Sequence, residues 1–307
     1  LKNEIQEIAA KGEFIDLLVL THTDEDHIGG ILKIFKDSDI DKSIIKEMWF
    51  NSGKAIEQYL PEATLPAKIS SIKIDFSGQL SAGQGIELES LMAQYGVRWA
   101  GVVAGQNKRI NGANIYLLSP ARNGLEKFYK KWEYEKRTET QSAYHTDYHL
   151  TVKELYGKNS FTEDNSIPNL SSIAFLFEYQ GKRALFLGDA YPSVVAESLR
   201  QYHKVSADGK LPVDVVKVSH HGSKGNTNEA LLRQMSCRRF IISTDGTQGL
   251  PNKECLARII RLAKPKAELY FNDADVAGKI FLAEDIQNYN FSYIDLSRPE
   301  CDYILEV

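Results

Sequence analysis

The stretch LVLTHTDEDHIGG, Leu18–Gly30, sets two histidines and three acidic residues within six positions. It follows an apolar run directly and leads into Gly29-Gly30. A solvated turn tolerates that composition. A strand end that carries it into a protein interior needs a partner for the charge. Recurrence separates the two readings. RALFLGDA, residues 183–190, and VVKVSHHGS, residues 215–223, repeat the layout of an apolar strand with Asp or His at its carboxyl end. In open α/β sheets, sites form outside the carboxyl ends of strands. If these strands share a sheet, His22, Asp24, Asp26, His27, Asp189, His220 and His221 are expected to converge. Mixed imidazole and carboxylate ligands suit zinc, manganese or iron. These residues are enough for two ions.

The flanking sequence alternates short apolar runs with amphipathic ones, which predicts a layered α/β fold. FIDLLVLT (14–21), KEMWFN (46–51) and ANIYLLSP (113–120) read as strands. IGGILKIFKD reads as a helix with Ile28, Ile31, Leu32 and Phe35 on one side, and residues 81–96 as a second helix closed by Gly96. A hairpin is expected around Gln180-Gly181, then a helix with Pro192 in its first turn. A helix capped by Thr227, the strand RRFIIST and the helix NKECLARIIRLA follow. AELYF and GKIFLAE read as late strands.

Residues 121–168 differ: they are polar, rich in aromatics and lack a core period. The expected organisation is one domain over 1–307 with 121–168 inserted. In this segment Lys127, Lys130, Lys131, Lys136 and Arg137 interleave with Phe128, Tyr129, Trp132 and Tyr134. That pattern fits either a single nucleic-acid strand or a solvated amphipathic helix with i,i+4 ion pairs. His145 and His149 stand at a helical metal spacing, with no other ligand near in sequence.

Bulk properties bound the rest. The chain has 307 residues, 43% of them apolar, enough for a sizeable core. A net charge of -4 gives no overall basic field for nucleic acid, though a local groove remains open. Cys237, Cys255 and Cys301 are few and widely spaced, with no CxxC. They read as structural thiols in a reducing compartment, and a cytoplasmic location is expected. No apolar run approaches the ~20 residues of a membrane span.

VLTHTDEDHIGG, LFLGDA and VVKVSHHGSKG together resemble the metallo-β-lactamase superfamily, in the branch that holds the C-terminal domain of the competence protein ComEC. The resemblance covers about residues 14–119 and 169–283. It implies an αββα sandwich with a dinuclear metal site. It implies His22, Asp24 and Asp189 on one ion, and Asp26, His27, Asp189 and His221 on the other, with Asp189 bridging. His220 is the alternative to His221, or a proton-transfer group, so Asp26 and His220 are the candidate catalytic residues.

Several departures from the family pattern carry information. Asp24 stands where the second His of His-x-His-x-Asp-His is usual. The intermediate His ligand has no match, its neighbourhood being Asn169, Ser171 and Ser172. Leu250-Pro251 stands where the branch usually carries His-Pro. The strand pair that ends in Asp-Gly ahead of the first motif is absent from residues 1–21. The sandwich is therefore expected to lack part of its N-terminal strands, and residues are expected to precede Leu1.

Two divalent ions in such a site would ionise a water near neutral pH and offset developing negative charge. Asp24 and the missing His shift the set toward oxygen ligands, hence toward manganese or magnesium as well as zinc. Gly29 and Gly30 are expected to permit close approach at a helix start. Ser223 and Lys224 are candidate contacts for a phosphate oxygen, Ser223 having a turn cap as its alternative role. The expected function is a metal-dependent phosphodiesterase or nuclease acting on nucleic acid. The alternatives are a hydrolase of small esters, lactones or phosphorylcholine-like groups, and a subunit of a defence or competence assembly whose 121–168 segment docks a protein partner.

Overall fold

The computed structural model describes residues 1–61, 81–132, 146–157, 161–202, 206–263 and 266–296. Its contacts divide the chain into two compact units: Leu1–Gln106, Pro120–Thr140 and Ser166–Ile173 form the first, Asn107–Ser119, Gln141–Asn165 and Ala174–Val307 the second. Segment 121–168, expected as one insertion, is shared between them.

The first unit holds α1 (Lys2–Ala10), β1 (Leu18–Leu20), α2 (Glu25–Lys36), β2 (Glu47–Phe50), α3 (Gly53–Ile56), α4 (Ser81–Gln94), β3 (Arg98–Ala100) and α5 (Arg122–Trp132). Its sheet runs β1-β2-β3, all parallel, with Leu18 opposite Met48 and Glu47 opposite Arg98. Helix α2 buries Ile28, Ile31, Leu32 and Phe35 as its period requires, against Leu20, Met48, Phe50, Leu88 and Met92. Helix α1 was not expected from the sequence, and it adds Ile5 to the same core.

Helix α5 decides between the two readings of EKFYKKW. Leu125, Phe128 and Tyr129 form an i, i+3, i+4 stripe buried against Ile56 and Val103. Tyr129 also donates its hydroxyl to Glu57 at 3.2 Å. These two rings are core, so they are not stacking platforms for a nucleic-acid strand. Lys127 and Lys130 lie on the exposed face, Lys130 paired with Glu126 at 2.7 Å. The side chain of Lys131, and Tyr134, Lys136 and Arg137, lie outside the described residues. Trp132 ends the helix where glycine leaves space: a Cβ on Gly53 or Gly85 would fall 2.5 or 2.3 Å from its indole.

The second unit opens with β4 (Asn107–Ile110) and β5 (Ala113–Ser119), followed by α6 (Val152–Tyr156), β6 (Ala174–Tyr179), β7 (Lys182–Phe186) and α7 (Pro192–Arg200). Then come β8 (Leu211–Pro212), β9 (Val215–Lys217), α8 (Glu229–Leu232), β10 (Met235–Ser236), β11 (Arg239–Ile242) and α9 (Lys253–Leu262). The unit closes with β12 (Ala267–Phe271), α10 (Ala274–Ile280), α11 (Ala283–Asn288) and β13 (Phe291–Asp295). The large sheet runs β13-β12-β11-β9-β7-β6-β5-β4. It is parallel from β13 to β7 and antiparallel from β7 to β4. Helices flank it over a core that includes Leu176, Leu185, Val216, Phe240, Leu256, Ile259 and Leu269. The fold is mixed α/β, and both β7 and β9 lead out of this sheet into candidate ligands.

The β6–β7 hairpin turns at Gln180 (φ 48°) and Gly181 (φ 81°), the left-handed pair of a type I′ turn. Glutamine is a poor occupant of that region. Gln180→Asn is expected to raise stability by up to about 1 kcal/mol, since asparagine visits the left-handed region more readily. Chemical denaturation measures it, and an unchanged or lowered midpoint would refute the turn assignment.

Three local expectations are corrected. The α8 cap is Asn228, whose side chain accepts from Leu231 N at 2.8 Å, and Thr227 is buried beside it. GKIFLAE is not a strand: Asp273 accepts from Val276 N at 3.1 Å and starts α10, which buries Val276, Ala277 and Ile280. The last strand is instead β13, and β4, equally unexpected, pairs with β5 across Asn111-Gly112. Among the described residues no helix is long and apolar enough to cross a membrane. Cys237 and Cys255 are buried free thiols, pushed up to about 12 and about 11 by burial, and Cys301 lies outside the described residues.

Candidate metal-binding residues

The expected ligands fall into two sets, one in each unit. In the first unit β1 ends at Leu20, and Thr21 to Asp24 lead into α2. The backbone oxygen of Thr21 accepts from Ile173 N at 2.9 Å, which fixes this turn. Thr21 Oγ1 lies 3.1 Å from His22 Nδ1 and 2.9 Å from His27 Nδ1. A hydroxyl oxygen can accept two N–H bonds. In that arrangement each ring carries its proton on Nδ1 and its lone pair on Nε2, the atom a metal takes. The rings lie close, 4.1 Å between centroids.

Carboxylates attend both Nε2 atoms. Asp24 Oδ2 is 3.6 Å from His22 Nε2, and Asp26 Oδ2 is 3.5 Å from His27 Nε2. Asp24 is the N-cap residue of α2, yet its side chain makes no cap hydrogen bond. An aspartate there ordinarily accepts from the helix's own N–H groups. Here the carboxylate turns to histidine, which removes about 1 kcal/mol of capping. Gly29 has a local role: the space a Cβ would take is filled by the Glu25 side chain, 2.5 Å away. Glu25 in turn accepts from Gln84 Nε2.

In the second unit Asp189 follows β7 through Gly188, and it is only 3% exposed. Beyond β9 the chain enters a tight turn in which His220 (φ 46°), His221 (φ 53°) and Gly222 (φ 87°) are all left-handed. Two non-glycine residues in that region cost about 1–2 kcal/mol each. The turn is held by His220 N to Gly188 O at 2.9 Å, Ser223 N to His220 O at 2.8 Å, and Asn252 N to Gly222 O at 3.0 Å. Gly222 is required twice over, because a Cβ would meet Pro251 Cβ at 2.5 Å.

The strained turn sends the two imidazoles to different partners. His221 Nδ1 lies 2.7 Å from the carbonyl oxygen of Ser243. A carbonyl only accepts, so this nitrogen carries the proton and Nε2 the lone pair. His220 instead stands between carboxylates: Nε2 is 3.7 Å from Asp189 Oδ2, and Nδ1 is 3.7 Å from Asp164 Oδ2 and 3.0 Å from Asn226 Oδ1. Burial alone would lower the His220 pKa. The nearby carboxylates of Asp164 and Asp189, with the Asn226 oxygen on Nδ1, outweigh it, and the ring is pushed up to about 9. In this unit, then, His221 turns Nδ1 rather than Nε2 to the Ser243 carbonyl, and His220 stands between two carboxylates.

Ser223 Oγ accepts from Gly225 N at 3.3 Å, the turn-cap role. The Lys224 backbone is tied to Asn252 Oδ1 at 2.9 Å and to Arg258 Nη1 at 2.7 Å, while its side chain is exposed. Asn169, Ser171 and Ser172 are buried in the first unit. The Ser171 hydroxyl donates to Pro168 O at 2.7 Å. His149 is exposed, and His145 lies outside the described residues.

Three residues near the second set escaped the sequence reading. Asp164 lies in the polar segment, where no spacing marks it. Asn226 sits five residues past His221 and is 1% exposed. Lys217 is half-buried at the end of β9 and donates to Val218 O at 3.0 Å. Burial lowers its pKa, partly opposed by the charge of Asp189. A lysine in VVKVSHH breaks the apolar run, and that was the available signal.

Each set alone offers imidazole nitrogen and carboxylate oxygen, the donor chemistry of a borderline-to-hard divalent cation. No protein-family model matches the chain, and no curated protein matches it significantly.

Proposed function

We propose that the protein is a metal-dependent hydrolase of metallo-β-lactamase-like αββα type with a dinuclear centre, a cytoplasmic phosphodiesterase or nuclease. One observation carries this reading. His22, His27 and His221 each have Nδ1 against a hydroxyl or carbonyl oxygen, at 3.1, 2.9 and 2.7 Å. That is the arrangement that orients imidazoles for coordination through Nε2.

In such a centre, on the assignment the family resemblance implies, His22, Asp24 and Asp189 would hold one ion, and Asp26, His27, Asp189 and His221 the other. Bound ions would supply Lewis acidity and ionised water near neutral pH. The chain's own residues do the rest. Asp26, whose side chain is 53% exposed, orients the attacking oxygen. His220 holds a proton at Nε2 and passes it to the leaving oxygen. The exposed Lys224 ammonium meets a phosphate oxygen. Asp24 in place of a histidine favours manganese over zinc.

The test incubates the full chain with labelled single- and double-stranded DNA and RNA, with manganese, zinc, magnesium or EDTA. Metal-dependent cleavage is expected, abolished by EDTA and lowered by about 10²-fold or more in Asp26→Ala. Turnover of a small chromogenic ester or phosphodiester with no nucleic acid cleaved would move the substrate to small molecules. No bound metal by elemental analysis and no turnover with any metal would overturn the hydrolase.

A further inference from the structure

We infer that Asp164 is a positioning residue. Acting through the Asn226 amide, it fixes the side of His220 that carries the Nδ1 proton and the direction in which Nε2 points. The kinetic part of this inference rests on the hydrolase reading; the orientation itself does not.

The argument starts from the amide. Asn226 is buried, and its Nδ2 has two acceptors, Asp164 Oδ2 at 2.9 Å and the backbone oxygen of Asp189 at 3.2 Å. An amide nitrogen only donates, and a carboxylate oxygen only accepts. Asp164, the shorter contact, and the Asp189 carbonyl therefore fix together which way the Asn226 side chain faces. With Nδ2 committed, Oδ1 is the atom turned to His220 Nδ1, 3.0 Å away. An amide oxygen only accepts, so Nδ1 must bear a hydrogen. Nε2 then points to Asp189 Oδ2, 3.7 Å away. The chain of constraint runs from Asp164 through Asn226 to His220, and each link has one allowed polarity.

Asp164 is itself well held. Its backbone N–H donates to Gly225 O at 3.1 Å, in the loop that carries Asn226. Glu163 beside it accepts from Ser193 N at 2.8 Å and Ser193 Oγ at 2.9 Å, at the start of α7. Two residues earlier, Phe161 lies under the Arg258 guanidinium, 5.2 Å from it. The end of the polar segment is thus anchored on α7, on α9 and on the histidine turn. Without the Asp164 carboxylate only the longer bond to the Asp189 carbonyl, at 3.2 Å, still opposes a flip of the Asn226 amide that presents its nitrogen to His220 and expels the Nδ1 proton.

The experiment compares the wild-type chain with Asp164→Ala, Asp164→Asn and Asn226→Ala. An asparagine at 164 keeps an acceptor for Asn226 Nδ2 and removes the charge. Proton NMR of chain labelled with ¹⁵N-histidine, with His220→Gln to assign the signal, should show an exchange-protected Hδ1 of His220 in the wild type and in Asp164→Asn. That resonance should be lost in Asp164→Ala and Asn226→Ala. In the metal-loaded protein, Asp164→Ala should lower kcat about 10–100-fold, with KM and metal content unchanged and a clearly smaller loss in Asp164→Asn. A persistent Hδ1 resonance in Asp164→Ala overturns the inference, as does equal loss of kcat in the alanine and asparagine variants. If Asp164→Ala does not fold, Asn226→Ala gives the same resonance test. A wild type with no turnover refutes the hydrolase reading, and the resonance alone then decides the role of Asp164.

Discussion

Asp189→Ala is expected to remove metal-dependent stabilisation entirely and to lower metal-dependent turnover by more than about 10²-fold. Residues that merely orient ligands cost 10–100-fold, and Asp189 is proposed to bind both ions. Its environment supports the size of the effect. The side chain is nearly inaccessible, it receives His220 Nε2 at 3.7 Å, and its own backbone oxygen holds Asn226 at 3.2 Å. Ligand binding stabilises a fold by about 2.7 kcal/mol at a free concentration of 100 Kd. Thermal unfolding of the wild type should therefore rise clearly when manganese replaces EDTA, and that of Asp189→Ala should not move. Asp189→Asn should behave like the alanine, because an amide keeps the shape and loses the charge. A manganese shift in Asp189→Ala equal to that of the wild type would refute the bridging assignment.

The strand ends that carry the candidate ligands were legible because their chemistry is local. LLVL before HTDEDH, RALFL before GD and VVKV before SHHG each couple an apolar run to polar residues that only a strand end explains. What failed was of two kinds. Arg98–Ala100 is too short to show a period, and Asn107–Ile110 is mostly polar because it sits at the sheet edge. Its signal was the turn Asn111-Gly112 rather than the strand itself. In GKIFLAE the apolar residues favoured a strand, but Asp273, two residues past β12, capped a helix first. The second kind is tertiary. Nothing near Asp164 announces that it faces Asn226 and His220, because those contacts span 62 and 56 residues of chain. Likewise the aromatic residues of α5 could not be assigned to core or surface until Ile56 and Val103 were seen against them.

Asp285→Ala is expected to be the most destabilising single substitution among the residues considered. Lys253 and Asp285 are fully buried and form an ion pair at 2.5 Å. Lys253 also donates to Tyr148 O at 3.3 Å, and Asp285 accepts Val152 N at 2.7 Å and Leu282 N at 3.0 Å. Removing one partner of a buried pair costs about 3–5 kcal/mol, because the other charge is left uncompensated. Asp285→Ala additionally strands two backbone donors. Lys253→Met strands only a carboxylate that keeps both N–H bonds, so it should cost less. At about 2–4 °C per kcal/mol for a unit of this size, Asp285→Ala should lower Tm by on the order of 10 °C. The consequence reaches the histidine turn. Lys253 opens α9, whose first N–H groups bond to Asp147 at 2.8 and 2.9 Å. Just before it Asn252 holds Gly222 and Lys224, and within it Arg258 holds Lys224 O at 2.7 Å and Thr227 O at 3.1 Å. Loosening α9 should therefore weaken the left-handed turn at His220 and His221 before the unit unfolds. Hydrogen exchange at residues 219–226 should accelerate in Lys253→Met under conditions where the sheet amides stay protected. Uniform acceleration across the unit would instead show that the pair stabilises the core alone, with no privileged effect on the turn.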